Sequence, residues 1–224
     1  MDKTGNDQIA EVYFNRGNAK SGIQDYMGAI EEYGKAIEQN PTLAEAYINR
    51  GLARTALKDY AEAISDYSKA IKIEPRFAEA YYNRGNAKAS IHDYNGSIAD
   101  FSLAIEINPK YGPAYNNRGA SKGKLQDYIG SISDLTKAIE INPQDSEAFF
   151  NRGRTKCYIE DYKGAISDFT EAIRINPQSA NAYFNRGVVK LILDQNNSAL
   201  LDLYKAKYYG NEKADWVMKK YCNS

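Results

Sequence analysis

Histidine occurs once in the 224 residues, at His92, and tryptophan once, at Trp216. A single imidazole leaves a Ser–His pair or a histidine-based metal site with little to work with. Cysteine occurs twice, and Cys157 and Cys222 stand 65 residues apart, which is neither a disulfide framework nor a metal-ligand spacing. Net charge is lacking as well, since 29 basic side chains balance 29 acidic ones. No long-range field is therefore available to draw in nucleic acid or an anionic membrane. No apolar run approaches the length of a membrane span. The first eight residues contain no apolar stretch of the kind a secretory signal carries, so a cytoplasmic location is expected. Glycine-rich phosphate loops are missing too. These absences predict a chain that is not an enzyme, takes no cofactor and no metal, and neither binds nucleic acid nor inserts into a membrane.

What the chain has in quantity is tyrosine, 19 copies against 7 phenylalanines. An amphipathic ring suits a helix junction or a wet binding surface. Hydrophobic residues make up 43%, ordinary for a folded protein.

The strongest signal is a period. Asn-Arg-Gly occurs at 15–17, 49–51, 83–85, 117–119, 151–153 and 185–187, each step being 34 residues. Pro41, Pro75, Pro109, Pro143 and Pro177 keep the same step. With that glycine as position 8, the units are 10–43, 44–77, 78–111, 112–145, 146–179 and 180–213. Residues 1–9 form a tail or the start of the first helix, and 214–224 a closing helix.

Each unit reads as two helices. Helix A has an aromatic residue at position 4 (Tyr13, Tyr47, Tyr81, Tyr115, Phe149, Tyr183), Gly at 8 and Ile or Leu at 14. A glycine inside a helix costs roughly 0.5–1 kcal/mol relative to alanine, so six in register point to close helix contact. Asp25, Asp59, Asp93, Asp127 and Asp161 then stand where a cap for helix B belongs. In the second unit Tyr60, Ala63, Ile64, Tyr67, Ala70 and Ile71 trace one helical face. The proline at position 32 is expected to stop helix B and to open the next helix A. The sixth unit loses the Asp-Tyr turn and the proline, and Ala214, Val217, Met218 and Tyr221 mark the closing helix as amphipathic.

One such hairpin cannot bury both of its apolar faces, whereas stacked neighbours can. The pattern resembles the tetratricopeptide repeat family through its aromatic at position 4, Gly at 8, Ala or Ser at 20, aromatic or Leu at 24, Ala at 27 and Pro at 32. The likeness runs over residues 10–213. It implies an all-α fold, a right-handed superhelical solenoid of antiparallel helix pairs. Arg at position 7 and Lys or Arg at position 11 depart from the family, which more often has Leu and Tyr there.

The resemblance also implies a concave wall lined by helix A positions 2, 5, 6, 9, 12 and 13. Position 6 is asparagine throughout: Asn15, Asn49, Asn83, Asn117, Asn151 and Asn185. An asparagine offers an acceptor and two donors, matching the acceptor and donor of a peptide bond. A row of them can grip an extended backbone whatever its sequence, and it is similar to an asparagine ladder known in the repeat domain of a glycosyltransferase. The same residues equally suit bonding between neighbouring helices. Each net hydrogen bond contributes roughly 0.5–1.5 kcal/mol, and ordering each peptide residue costs about 1–2 kcal/mol. Affinity must therefore come from position 5, where Phe14, Tyr82, Phe150 and Phe184 offer rings, with selectivity for basic or apolar ligands from Glu45 and Glu79 at position 2. The carboxylate clamp of some family members is not matched, because Phe14, Glu79 and Asn83 fill its basic places.

Arginine at position 7 lies opposite position 23, always Asp or Glu, and a pair locking helix A to helix B is expected. The expected role is an adaptor that binds a protein or peptide in the groove. The alternatives are a self-associating scaffold, suggested by the tyrosine-rich end bearing Trp216, or a non-catalytic subunit of a larger complex.

Overall fold

Apolar residues three and four apart gather on one side of a helix, and among the described residues the chain uses that spacing in thirteen helices and no strand. The computed structural model describes residues 3–222. Residues 1–2 of the expected tail and 223–224 of the expected closing helix lie outside it.

The chain divides into two compact units, Met1–Pro109 and Lys110–Ser224. The first unit holds three hairpins: α1 (Lys3–Gly22) with α2 (Tyr26–Gln39), α3 (Ala44–Ala56) with α4 (Tyr60–Ile73), and α5 (Ala78–Ser90) with α6 (Tyr94–Ile107). The second holds α7 (Gly112–Lys124) with α8 (Tyr128–Ile141), α9 (Ser146–Tyr158) with α10 (Tyr162–Ile175), α11 (Ala180–Ile192) with α12 (Asn196–Tyr208), and the closing α13 (Lys213–Cys222). Within each unit every helix packs on its neighbours in sequence, and the first helices of successive hairpins also touch. α1 begins at Lys3, so residues 3–9 are a helical extension of the first hairpin.

Helices A and B are joined by one turn used six times. Gln24, Lys58, His92, Gln126, Glu160 and Asp194 at position 15 all have φ between 56° and 66°. Glycine usually fills that left-handed conformation, because a Cβ crowds the following carbonyl. The next residue returns its N–H to the carbonyl five positions back, as Asp25 to Lys20 at 2.9 Å and Asp59 to Arg54 at 2.9 Å. That bond satisfies a carbonyl left over at the end of helix A.

The same aspartate caps helix B. Asp25, Asp93, Asp127 and Asp161 accept the N–H of Gly28, Gly96, Gly130 and Gly164 at 2.9–3.0 Å. A Cβ on any of these glycines would collide with the capping carboxylate. Asp59, expected to cap as well, makes no such bond, and Glu62 occupies the place of the glycine.

Proline ends helix B but does not open the next helix. Helix B stops two residues before Pro41, Pro75, Pro109, Pro143 and Pro177, and helix A starts three residues after the proline, behind N-cap residues Leu43, Phe77, Tyr111, Asp145 and Ser179. Asn40, Asn142 and Asn176, just before the proline, accept the N–H two residues on and bridge the ring.

The centre of each hairpin is the position 8 glycine against the position 24 side chain. A Cβ on Gly51 would lie 2.7 Å from the Tyr67 ring, and one on Gly85 2.7 Å from Phe101. Tyr33, Tyr67, Phe101, Leu135, Phe169 and Leu203 are fully buried there, ringed by alanines with no exposure. Each such side chain contributes roughly 1.5–3 kcal/mol on burial.

Candidate inner face of the helix pairs

The arginine row belongs to the scaffold. Arg84 grips Asp100 with two parallel bonds, Nε to Oδ2 at 2.9 Å and Nη2 to Oδ1 at 2.6 Å. Arg50, Arg118, Arg152 and Arg186 hold Asp66, Asp134, Asp168 and Asp202 in the same way. Arg16 lies 3.2 Å from Glu32. The position 11 cation reaches the same carboxylate, as Lys88 to Asp100 and Lys156 to Asp168, both at 2.8 Å. Both departures from the family pattern thus serve one buried acid, and the position 11 half was missed in the sequence although its spacing to the acid, 12 residues, is as regular as that of the arginine. Each guanidinium also lies over the position 4 ring of its own helix, 5.6 Å away for Arg84 and Tyr81. Arg84, Arg152 and Arg186 further donate to a hydroxyl of the preceding hairpin, on Ser68, Thr136 and Thr170, each at 3.0 Å. At Glu32, burial pulls the carboxyl upward, but Lys35, Lys20 and Arg16 outweigh it and hold the group below the ordinary carboxylate range.

The asparagine row is less uniform than its sequence. Asn15 is exposed. Asn49 donates to Asn18 Oδ1 of the preceding helix A at 2.9 Å, and the same oxygen accepts from Tyr33 at 2.8 Å. Asn151 donates to Asn116 Oδ1 at 3.1 Å, and Asn116 in turn donates to Asn117 Oδ1 at 3.2 Å. Asn185 donates to the Asn181 carbonyl one turn back at 2.8 Å. The Asn83 amide nitrogen is buried with no partner among the described residues. Part of the hydrogen-bonding capacity read from the sequence therefore joins neighbouring helices. Periodicity alone cannot reveal this, because the partners at positions 5 and 9 differ from unit to unit.

The aromatic wall is half core. Phe14, Tyr82 and Phe150 each lie with ring centroid 5.9 Å from the buried ring of their own hairpin, Tyr33, Phe101 and Phe169. Phe184 is also half-buried and packs against the last core cluster. Glu45 and Glu79 are exposed.

Several of these residues meet in clefts. Phe14, Asn15 and Glu45 share one of about 360 Å³ with Glu11 and Asp7, which gives an aromatic floor three carboxylates. Phe150, Phe184 and Asn185 share another of about 520 Å³ with Arg154, Asn181 and the 210–213 turn. Asn49 and Asn151 line smaller clefts with Asn18 and Tyr33, and with Arg154 and Tyr158. Position 9, at Asn18 and Arg154, is thus a lining position that no single residue type marks in the sequence.

No group of metal-ligating side chains occurs among the described residues, and no helix there is long and apolar enough to cross a membrane. Cys157 is partly buried, and burial pushes its thiol up to about 11. His92 is exposed in its turn, 2.9 Å from the Tyr94 hydroxyl.

The comparisons agree with this architecture. Family models described as TPR repeat match residues 23–57, 51–91 and 153–191, and models described as tetratricopeptide repeat match 78–111 and 112–145. No curated protein matches the chain. Among solved structures, YrrB, described as a TPR protein with an unusual peptide-binding site, is 27% identical over 84% of this chain and 97% of its own, with a TM-score of 0.67. MamA is 24% identical over 77% of this chain and 94% of its own, with a TM-score of 0.70. PilW, described as a widely conserved type IV pilus biogenesis factor, is 21% identical over 94% and 99%, with a TM-score of 0.83. MamA and PilW share the fold. The chain belongs to the tetratricopeptide repeat family and has the fold of a protein-interaction module.

Proposed function

We propose that the chain holds an extended segment of a partner protein against the inner faces of its A helices. One observation carries the reading. Residues of successive hairpins, Phe14, Asn15 and Glu45 in the first unit and Phe150, Phe184 and Asn185 in the second, converge on clefts large enough for side chains of a ligand. The YrrB likeness supports it, since that protein is described as binding a peptide.

The ligand differs from one bound by an unbroken asparagine ladder. Asn15 and Asn185 keep their side-chain oxygens free of the bonds that occupy Asn18 and Asn116, while the Asn49 and Asn151 amides are already committed to neighbours. Backbone bonds at a few points then orient the segment, and apolar contact with the half-exposed rings supplies affinity. Asp7, Glu11 and Glu45 favour basic side chains at the first cleft.

The test is capture of partners from the source cell by the wild-type chain and by a triple variant, Asn15→Ala, Glu45→Lys and Asn185→Ala. All three residues lie at the surface or lack side-chain partners within the core. The variant is expected to keep the melting temperature within a few degrees and to lose the captured partner. Undiminished capture contradicts the reading.

A further inference from the structure

The far end of the last inner face differs from all the others. Positions 12 and 13 of helix A are Ser21 and Gly22, Thr55 and Ala56, Ala89 and Ser90, Gly123 and Lys124, then Cys157 and Tyr158. In the last hairpin they are Leu191 and Ile192. With Phe184 and Val188 of α11, and with Trp216 and Tyr221 of α13, they line a cleft of about 460 Å³ whose wall is aliphatic and aromatic and holds no charged side chain. Ile192, Trp216 and Tyr221 are each more than half exposed, at 53%, 63% and 54%. α13 buries Ala214, Val217 and Met218 and so closes the core, yet it turns these two large rings outward.

Charge marks one lip of the cleft. The Lys220 ammonium lies 5.1 Å from the Trp216 ring and 5.4 Å from the Tyr221 ring. Lys207 and Lys219 are engaged by Asp215. Lys220 has no carboxylate among the described residues, and its charge rests on the aromatic faces that frame the cleft.

We propose that this cleft is an anchor pocket for an apolar segment of a partner protein whose adjoining residues are acidic. The proposal rests on the peptide-holding reading above and adds to it a pocket outside the asparagine row. The cleft lies within the volume range of ligand sites, and a buried aliphatic or aromatic anchor is the usual centre of a binding hot spot. An acidic residue beside the anchor meets Lys220 at the lip, where a basic one is repelled.

Trp216 is the only tryptophan, so its emission reports on this cleft alone. The probes are two eight-residue synthetic peptides with a Leu-Phe-Leu core, one followed by two glutamates and one by two lysines. The glutamate peptide is expected to shift Trp216 emission to shorter wavelength and to bind at least tenfold more tightly than the lysine peptide. Lys220→Glu should reverse that order. Ile192→Glu, at a half-exposed position that leaves the helical circular dichroism unchanged, should abolish binding of both. No emission change with either peptide, equal affinities, or binding unaffected by Ile192→Glu overturns the pocket. The two readings fail separately. Cellular capture lost in the Asn15, Glu45 and Asn185 variant but intact in Ile192→Glu overturns the pocket and leaves the groove standing. Peptide binding at Trp216 together with undiminished capture by that triple variant overturns the groove.

Discussion

At the scale of single residues, Gly85 and Lys58 show how differently two backbone positions respond to the same rule. Gly85 has ordinary helical geometry, and its missing Cβ makes room for the Phe101 ring. Gly85→Val should cost about 1–3 kcal/mol through overpacking, read as a lower urea midpoint. Lys58 sits at φ 62°, a conformation that charges an L side chain roughly 1–2 kcal/mol. Lys58→Gly relieves that strain at the expense of a more flexible unfolded chain, so a net gain of about 0.5–1 kcal/mol is expected in the same assay. Asn49→Ala removes a bond between neighbouring A helices and should lose roughly 0.5–1.5 kcal/mol, whereas Asn15→Ala should lose almost nothing. Cys157, with its thiol pushed up to about 11, is on the order of one part in a thousand thiolate at pH 8. In a Cys222→Ser background its alkylation by iodoacetamide should accelerate about tenfold per pH unit from pH 8 to near 11. A rate that levels off near pH 9 would show an unperturbed thiol.

At the scale of the helix, the Asp–Gly pair at the start of helix B works as a unit. Asp93→Ala should cost about 1 kcal/mol, because it leaves the Gly96 N–H without its acceptor. Asp59→Ala should cost much less, because no such bond exists there. The sequence showed five equivalent aspartates, and the exception is the one with Glu62 three places on, where the other four have a glycine whose missing Cβ leaves room for the capping carboxylate. The helices themselves were legible because position 8, position 24 and the alanines repeat with the period of the contacts they make. The left-handed turn residue was not, because Gln, Lys, His, Glu and Asp fill a place where glycine is the usual signal. The arginine–acid pair could be read from spacing, and Arg84→Ala should lose stability rather than ligand affinity. The loss is expected to approach the roughly 3–5 kcal/mol of a broken buried pair, lessened by Lys88, which stays with Asp100.

At the scale of the whole chain, the repeat family could be read from residues 10–213. The division into Met1–Pro109 and Lys110–Ser224 could not be read, since the period runs through it unchanged. Nor could the anchor cleft, because Leu191 and Ile192 gain meaning only when α13 brings Trp216 beside them. The same distinction separates the candidate site from the scaffold: residues that repeat in all six hairpins mostly build the hairpins, and those that vary shape the surface. The central claim, that partners lie along the inner faces, is tested most directly by photo-crosslinking in the source cell. A benzophenone side chain is placed at Asn15 or Asn185 on A helices, and at Leu201 or Tyr204 on α12, which are exposed at 67% and 62%. The account predicts adducts with a partner protein from Asn15 and Asn185 and none from Leu201 or Tyr204. Adducts from Leu201 or Tyr204 alone would contradict it.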